Sequence, residues 1–214
     1  MNVPRILVLG VGNLLLSDEG VGVQFLRELA LTALPSNVEL IDAGTAGWEL
    51  VHLIDDFDFV IVVDAIDAIT EPGTIFLFSP ADLRSMPAEC EVSLHQAGLI
   101  AILNTARYLR PAPDILIFGI QPAKVEWGLD LSSAVKNAFP TLQRLIFEQI
   151  SYVNKYRQFK PGNSLNSRGE NATMKLPGQK YSRKDQSSES EWSFPVLAKA
   201  VEAQAKLCYD KTID

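Results

Sequence analysis

The run Phe59-Val60-Ile61-Val62-Val63 is apolar at every position. A strand with one solvated face alternates apolar and polar residues, so an unbroken run predicts a strand covered on both faces, as in a parallel sheet packed between helices. Ile6 to Leu9, Val38 to Ile41, Thr74 to Phe78 and Ile115 to Ile120 supply further strands. Between and after them apolar residues recur at helical spacing: Val21, Phe25, Leu26 and Leu29; then Leu99, Ile100, Ile102, Leu103 and Ala106; finally Val135, Phe139, Leu142, Leu145, Ile146 and Ile150. Strands alternating with helices predict an α/β fold, a three-layer α/β/α sandwich around a mostly parallel, twisted sheet.

In such sheets ligands bind at the carboxyl edge of the strands, which directs attention to the loops there. The first is Gly10-Val11-Gly12-Asn13-Leu14-Leu15-Leu16-Ser17-Asp18-Glu19-Gly20-Val21-Gly22. Gly10 and Gly12 begin a dinucleotide fingerprint, but its third glycine falls on Leu15, whose bulk opposes the close helix packing that the glycine permits. Asp18 and Glu19 stand where that motif would hold a phosphate, and two carboxylates repel one. Two readings remain open here: a cation partner, or a local role in which Ser17 or Asp18 caps the helix and Glu19 complements its dipole. The first helix is predicted to run out near Leu34-Pro35.

The second loop, Asp42-Ala43-Gly44-Thr45-Ala46-Gly47, precedes a short predicted helix, Trp48 to Ile54, in which His52 reads as a structural residue. The buried strand ends abruptly in Asp64, either a turn cap or a functional group delivered to the ligand edge. Asp67 is placed to serve the same turn. Glu71-Pro72-Gly73 is a turn signal, and Ala81 to Val92 shows no firm period. Ser93-Leu94-His95-Gln96 fits a capping box, placing His95 in a first helical turn where the dipole favours the neutral ring, able to bind a metal or accept a proton. Cys90 lies near in sequence, but a loop thiol without an orienting partner reads as inert. The loop Gln121 to Gly128 is polar at a strand end and a candidate to line a site. The last helix, from about Leu131 to Tyr152, is predicted to be interrupted or kinked near Pro140.

The net charge is -7 and lysines and arginines do not cluster on the folded part, which argues against nucleic acid as a partner. No apolar run approaches the roughly 20 residues of a membrane span, and no signal-peptide pattern opens the chain. These features predict a cytoplasmic protein without membrane insertion. Two cysteines, Cys90 and Cys208, exclude a zinc ribbon or disulfide framework. From about Tyr156 periodic apolar residues vanish and basic residues outnumber acidic ones. The predicted organisation is therefore a folded domain over 1–156, a basic disordered linker over 157–193, and a tail over 194–214 with a short helix.

Glu19, Asp64 and His95 all fall at or beside predicted sheet-edge positions. Two carboxylates and an imidazole are oxygen and nitrogen ligands that suit nickel, zinc or iron, and three protein ligands leave coordination positions open. The motifs around them resemble those of the maturation endopeptidases of nickel-iron hydrogenases. The resemblance runs in order through Leu9 to Gly20, Asp42 to Gly47, Val63 to Asp67, Glu71 to Thr74, Ser93 to Gln96 and Gly119 to Ala123. The forms Ser-Leu-His-Gln and Gln-Pro-Ala are most similar to proteases serving uptake or membrane-bound hydrogenases. The family loop usually reads Asp-Gly-Gly-Thr; Ala43 replaces its first glycine.

The resemblance implies a phosphorylase/hydrolase-like fold and an aspartic-type or metal-dependent endopeptidase. Its expected reaction is removal of a carboxyl-terminal extension from the hydrogenase large-subunit precursor after nickel insertion. It further implies that Glu19, Asp64 and His95 bind nickel supplied by the substrate, for which other divalent metals substitute. They are also the candidate catalytic residues, and the chain is expected to be a monomer. Two rival classes frame this expectation. A non-proteolytic docking factor or chaperone for a metalloprotein would use the same open site, and a nucleotide- or phosphate-binding enzyme is opposed by Leu15 and Glu19.

Overall fold

The computed structural model describes residues 3–45, 54–80 and 113–156. Strand β1 (Ile6–Val11) is followed by a 3-10 turn (Ser17–Gly20), helix α1 (Val21–Leu29) and strand β2 (Val38–Gly44). Strands β3 (Phe59–Ala65), β4 (Ile75–Phe78) and β5 (Asp114–Ile120) come next, and helix α2 (Ser133–Tyr156) ends the described chain. The sheet has five strands in the order β2-β1-β3-β5-β4. β2, β1, β3 and β5 are mutually parallel, while β4 runs antiparallel along β5. The α/β architecture and mostly parallel sheet expected from the sequence are thus present.

Both faces of the sheet are buried, which is why β1 and β3 contain apolar residues without alternation. On one face Ile6, Val8, Ile61 and Val63 pack against α1 and α2. There Phe25 meets Phe139 edge to face at 5.2 Å. On the other, Leu7, Leu9, Val60, Val62, Ile115 and Ile117 pack with Ile54 and Phe57. Helix α2 presents Val135, Ala138, Phe139, Leu142, Ile146, Ile150 and Val153 to the core at spacings of three and four.

Two expectations are corrected. Helix α1 ends at Leu29, short of Leu34, because Thr32 folds back and both its backbone N–H and its hydroxyl donate to the Leu29 carbonyl. Leu31 then projects into solvent, 87 % exposed, and the buried stripe stops. Of the interruption or kink predicted near Pro140, the interruption is absent: Pro140 lies within one continuous 24-residue helix. The proline is on the exposed side, and core contacts from Ala138, Phe139 and Leu142 hold the helix across the missing N–H. The predicted loop at 81–92, nearly all of the predicted helix at 48–54, the helix after Ser93, and the linker and tail from 157 lie outside the described residues.

After β1 the chain passes to β2 on one side of it, then crosses to β3 on the other. The carboxyl ends of β1 and β3 therefore flank a topological switch point, where a crevice opens in sheets of this kind.

Candidate active site at the β1–β3 switch point

Glu19 is brought to this crevice by a chain of close backbone approaches. Gly12 has φ +134, and a Cβ there would overlap the Glu19 carbonyl oxygen. Gly22, in the first turn of α1, lies against Val11 and the Val63 carbonyl oxygen, so a side chain there would collide with both strands. The close helix–strand packing that Leu15 seemed to forbid is thus provided seven residues later, by Gly22. The 3-10 turn carrying Glu19 consequently packs against β3. Glu19 stands two residues before Val21, where α1 begins, with Gly20 at the N-cap.

Asp64 is on that same strand β3, level with Gly119 of β5, and is 2 % exposed. Its Oδ1 accepts a hydrogen bond from the Ala65 N–H at 2.8 Å. Oδ2 of Asp64 and Oε2 of Glu19 are both shielded from solvent. The structure therefore places two of the three expected site residues on adjoining elements, Asp64 near the carboxyl end of β3 and Glu19 on a turn packed against that strand. His95, the third, lies outside the described residues, as do His52 and Cys90. Among the described residues no three histidine, cysteine or carboxylate side chains group into a metal site.

Asp18 has a different task from its neighbour. Fully buried, it accepts from the backbone N–H groups of Ala123 (2.8 Å) and Lys124 (3.2 Å) through Oδ2, and of Ser132 (2.6 Å) through Oδ1. Neither Asp18 nor Ser17 caps the helix, which corrects the expectation that one of them would. Instead Asp18 clamps the loop after β5 to the loop after β1. Ser17, at φ 51, adds a hydrogen bond from Oγ to the Glu126 carbonyl (3.0 Å), and its N–H donates to the Gly128 carbonyl (2.8 Å). In that loop a hydrogen bond to Glu126, and then its charge, raise the Lys124 pKa above the usual value, so Lys124 stays cationic at neutral pH.

Gln121, which the sequence marked only as the start of a polar loop, is a second organiser. It is 5 % exposed; its Oε1 accepts from the Ala68 N–H (2.8 Å), and its Nε2 donates to Asp67 Oδ1 (2.9 Å). Asp67 also receives the Ile69 N–H, so the expected turn role of Asp67 holds. The polar residue closing an otherwise apolar strand was the available signal for Gln121, the same signal that marks Asp64. In the Asp42 loop the positive φ falls on Gly44, at +49, and not on Ala43. The replacement of the family glycine by Ala43 therefore meets no backbone penalty.

A mostly parallel sheet with acidic side chains at the strand ends beside its switch point defines the class: an α/β enzyme-like domain with carboxylates at the strand ends. Residues 23–149 match the family model of hydrogenase maturation protease, a span that includes Asp64 and position 95 and begins just after Glu19. The chain belongs to this family of endopeptidases. It is 38 % identical over 140 residues to the hydrogenase expression/formation protein HupD of Rhizobium leguminosarum bv. viciae, covering 64 % of this chain and 69 % of that one. It is 35 % identical over 146 residues to the hydrogenase 2 maturation protease of Escherichia coli, covering 66 % and 88 %. The solved structure of the hydrogenase maturating endopeptidase HybD from E. coli superposes with a TM-score of 0.62 at 32 % identity, over 69 % of this chain and 93 % of that one. Among the described residues no helix is long and apolar enough to cross a membrane.

Proposed function

We propose that this chain removes the carboxyl-terminal extension of a nickel-iron hydrogenase large-subunit precursor once nickel has been inserted, using Glu19, Asp64 and His95 to recognise the substrate-bound nickel. The observation that carries the reading is the packing of the Glu19 turn onto β3, which presents two carboxylates at one switch point. Carboxylate oxygens and one imidazole nitrogen form a mixed donor set that suits nickel.

A site with three protein donors is incomplete by design of its coordination number. It holds free metal loosely but binds well to an ion already ligated by the substrate, so substrate recognition and maturation state become a single test. When bound, the ion supplies a Lewis acid beside the scissile peptide. Glu19 and Asp64 would offer it carboxylate oxygens, each carried on backbone held by the β1–β3 packing. The protease acts as a monomer on a protein substrate in the cytoplasm.

The test uses nickel-loaded and nickel-free precursor. The unmodified chain is expected to shorten only the loaded form, read as a mass change at a peptide bond, which also separates a protease from a docking factor. Glu19→Gln, Asp64→Asn and His95→Ala are each expected to reduce kcat/KM by at least about 100-fold, the scale of losing a metal-recognition or transition-state contact. Undiminished cleavage by any one of them removes that residue from the proposed role.

A further inference from the structure

Three large apolar side chains within five residues of the loop after β5 face solvent: Val125 is 55 %, Trp127 82 % and Leu129 67 % exposed. Leu15, 51 % exposed, belongs beside them, because the Gly128 N–H donates to its carbonyl at 3.0 Å and Leu16 pairs with Gly128 in a parallel bridge. This exposure is not that of a loose loop. Asp18 and Ser17 hold its backbone from one side, and Gln24 Nε2 donates to the Leu129 carbonyl at 2.8 Å from the other. The ion pair Lys124–Glu126, at 2.9 Å, gives the patch a charged rim. An apolar centre on a preorganised backbone with a polar rim is the anatomy of an interaction surface, and an exposed tryptophan is the residue type that most often anchors one.

We propose that Leu15, Val125, Trp127 and Leu129 form a docking platform for the polypeptide flanking the scissile bond of the large-subunit precursor. The proposal rests on the reading of the chain as the processing protease for that subunit. Continuity selects this occupant: Leu15 stands four residues before Glu19, and Asp18, which braces the platform, is the neighbour of Glu19. A segment seated on Trp127 is thereby held to the same rigid unit as the carboxylate site. Size argues the same way. One tryptophan and three aliphatic side chains offer on the order of a few hundred Å², short of the roughly 800 Å² per partner that a stable complex of two copies requires. That area suits a single bound segment.

The test is steady-state cleavage of full-length, nickel-loaded precursor by the full chain and by Trp127→Glu, Trp127→Ala and Trp127→Phe variants. Because Trp127 is largely in solvent, all are expected to melt as the unmodified chain does. Trp127→Glu and Trp127→Ala should raise KM about 10- to 30-fold, the loss of one anchor residue, with kcat within about twofold. Trp127→Phe should retain most of the affinity. An unchanged KM in Trp127→Glu and Trp127→Ala overturns the platform while leaving the protease reading intact, as does a fall in kcat alone. A dimer in sedimentation that dissociates on Trp127→Glu without a change in KM also overturns it, assigning the patch to a second copy. Failure of the unmodified chain to cleave the loaded precursor instead removes the protease reading, and the platform with it.

Discussion

Replacing Asp18 would remove the shared acceptor of the Ala123, Lys124 and Ser132 N–H groups, the clamp between two loops. Hydrogen bonds to a buried charge are among the strongest in a folded chain, so Asp18→Ala is expected to lower unfolding free energy by about 2 to 4 kcal/mol, measured by urea denaturation. A loss below about 0.5 kcal/mol would show that the loop holds without the clamp. Glu19→Gln, by contrast, should leave stability nearly unchanged and affect cleavage. The two residues are adjacent, acidic and indistinguishable by type. Their assignment depends on which way each side chain leaves the 3-10 turn, and Asp18 leaves it toward the loop after β5. Sequence alone could place an acidic pair at a ligand edge, but could not divide the work between them.

At the scale of elements, the decisive joint is between α1 and the paired strands β1 and β3. Gly22 allows the helix to rest on the Val11 and Val63 backbones, and that approach sets the height of Glu19 over β3. Gly22→Ala is expected to cost at least about 3 kcal/mol, since the new methyl meets strand backbone and not a movable side chain; a thermal melt would reveal it. A melting temperature within a degree or two of the unmodified chain would refute this account of the joint. The glycine was visible in the sequence, yet the dinucleotide pattern drew attention to Leu15 instead, since the partner surface of a helical glycine is a tertiary fact. Strand β3 was legible from its unbroken apolar run. The end of α1 was not, because Thr32 closes it through a local side-chain bond that competes with the apolar period.

At the scale of the molecule, the described core is closed by α2, whose last buried residue is Val153. A fragment of residues 1–156 is therefore expected to unfold cooperatively, with a melting temperature within about 5 °C of the full chain, and to cleave loaded precursor. Loss of cooperative unfolding would show that residues beyond 156 contribute to the core. Sequence determined the layers of this protein, because apolar runs and helical periods report directly how many faces each element must bury. It also marked Asp64, a charge terminating a buried strand. Only the tertiary structure decided the strand order that makes β1 and β3 neighbours, the switch point between them, and the packing that sets Glu19 near that strand. Burial is written in each residue's own polarity, whereas adjacency depends on which distant backbones can approach one another, and no single segment carries that information.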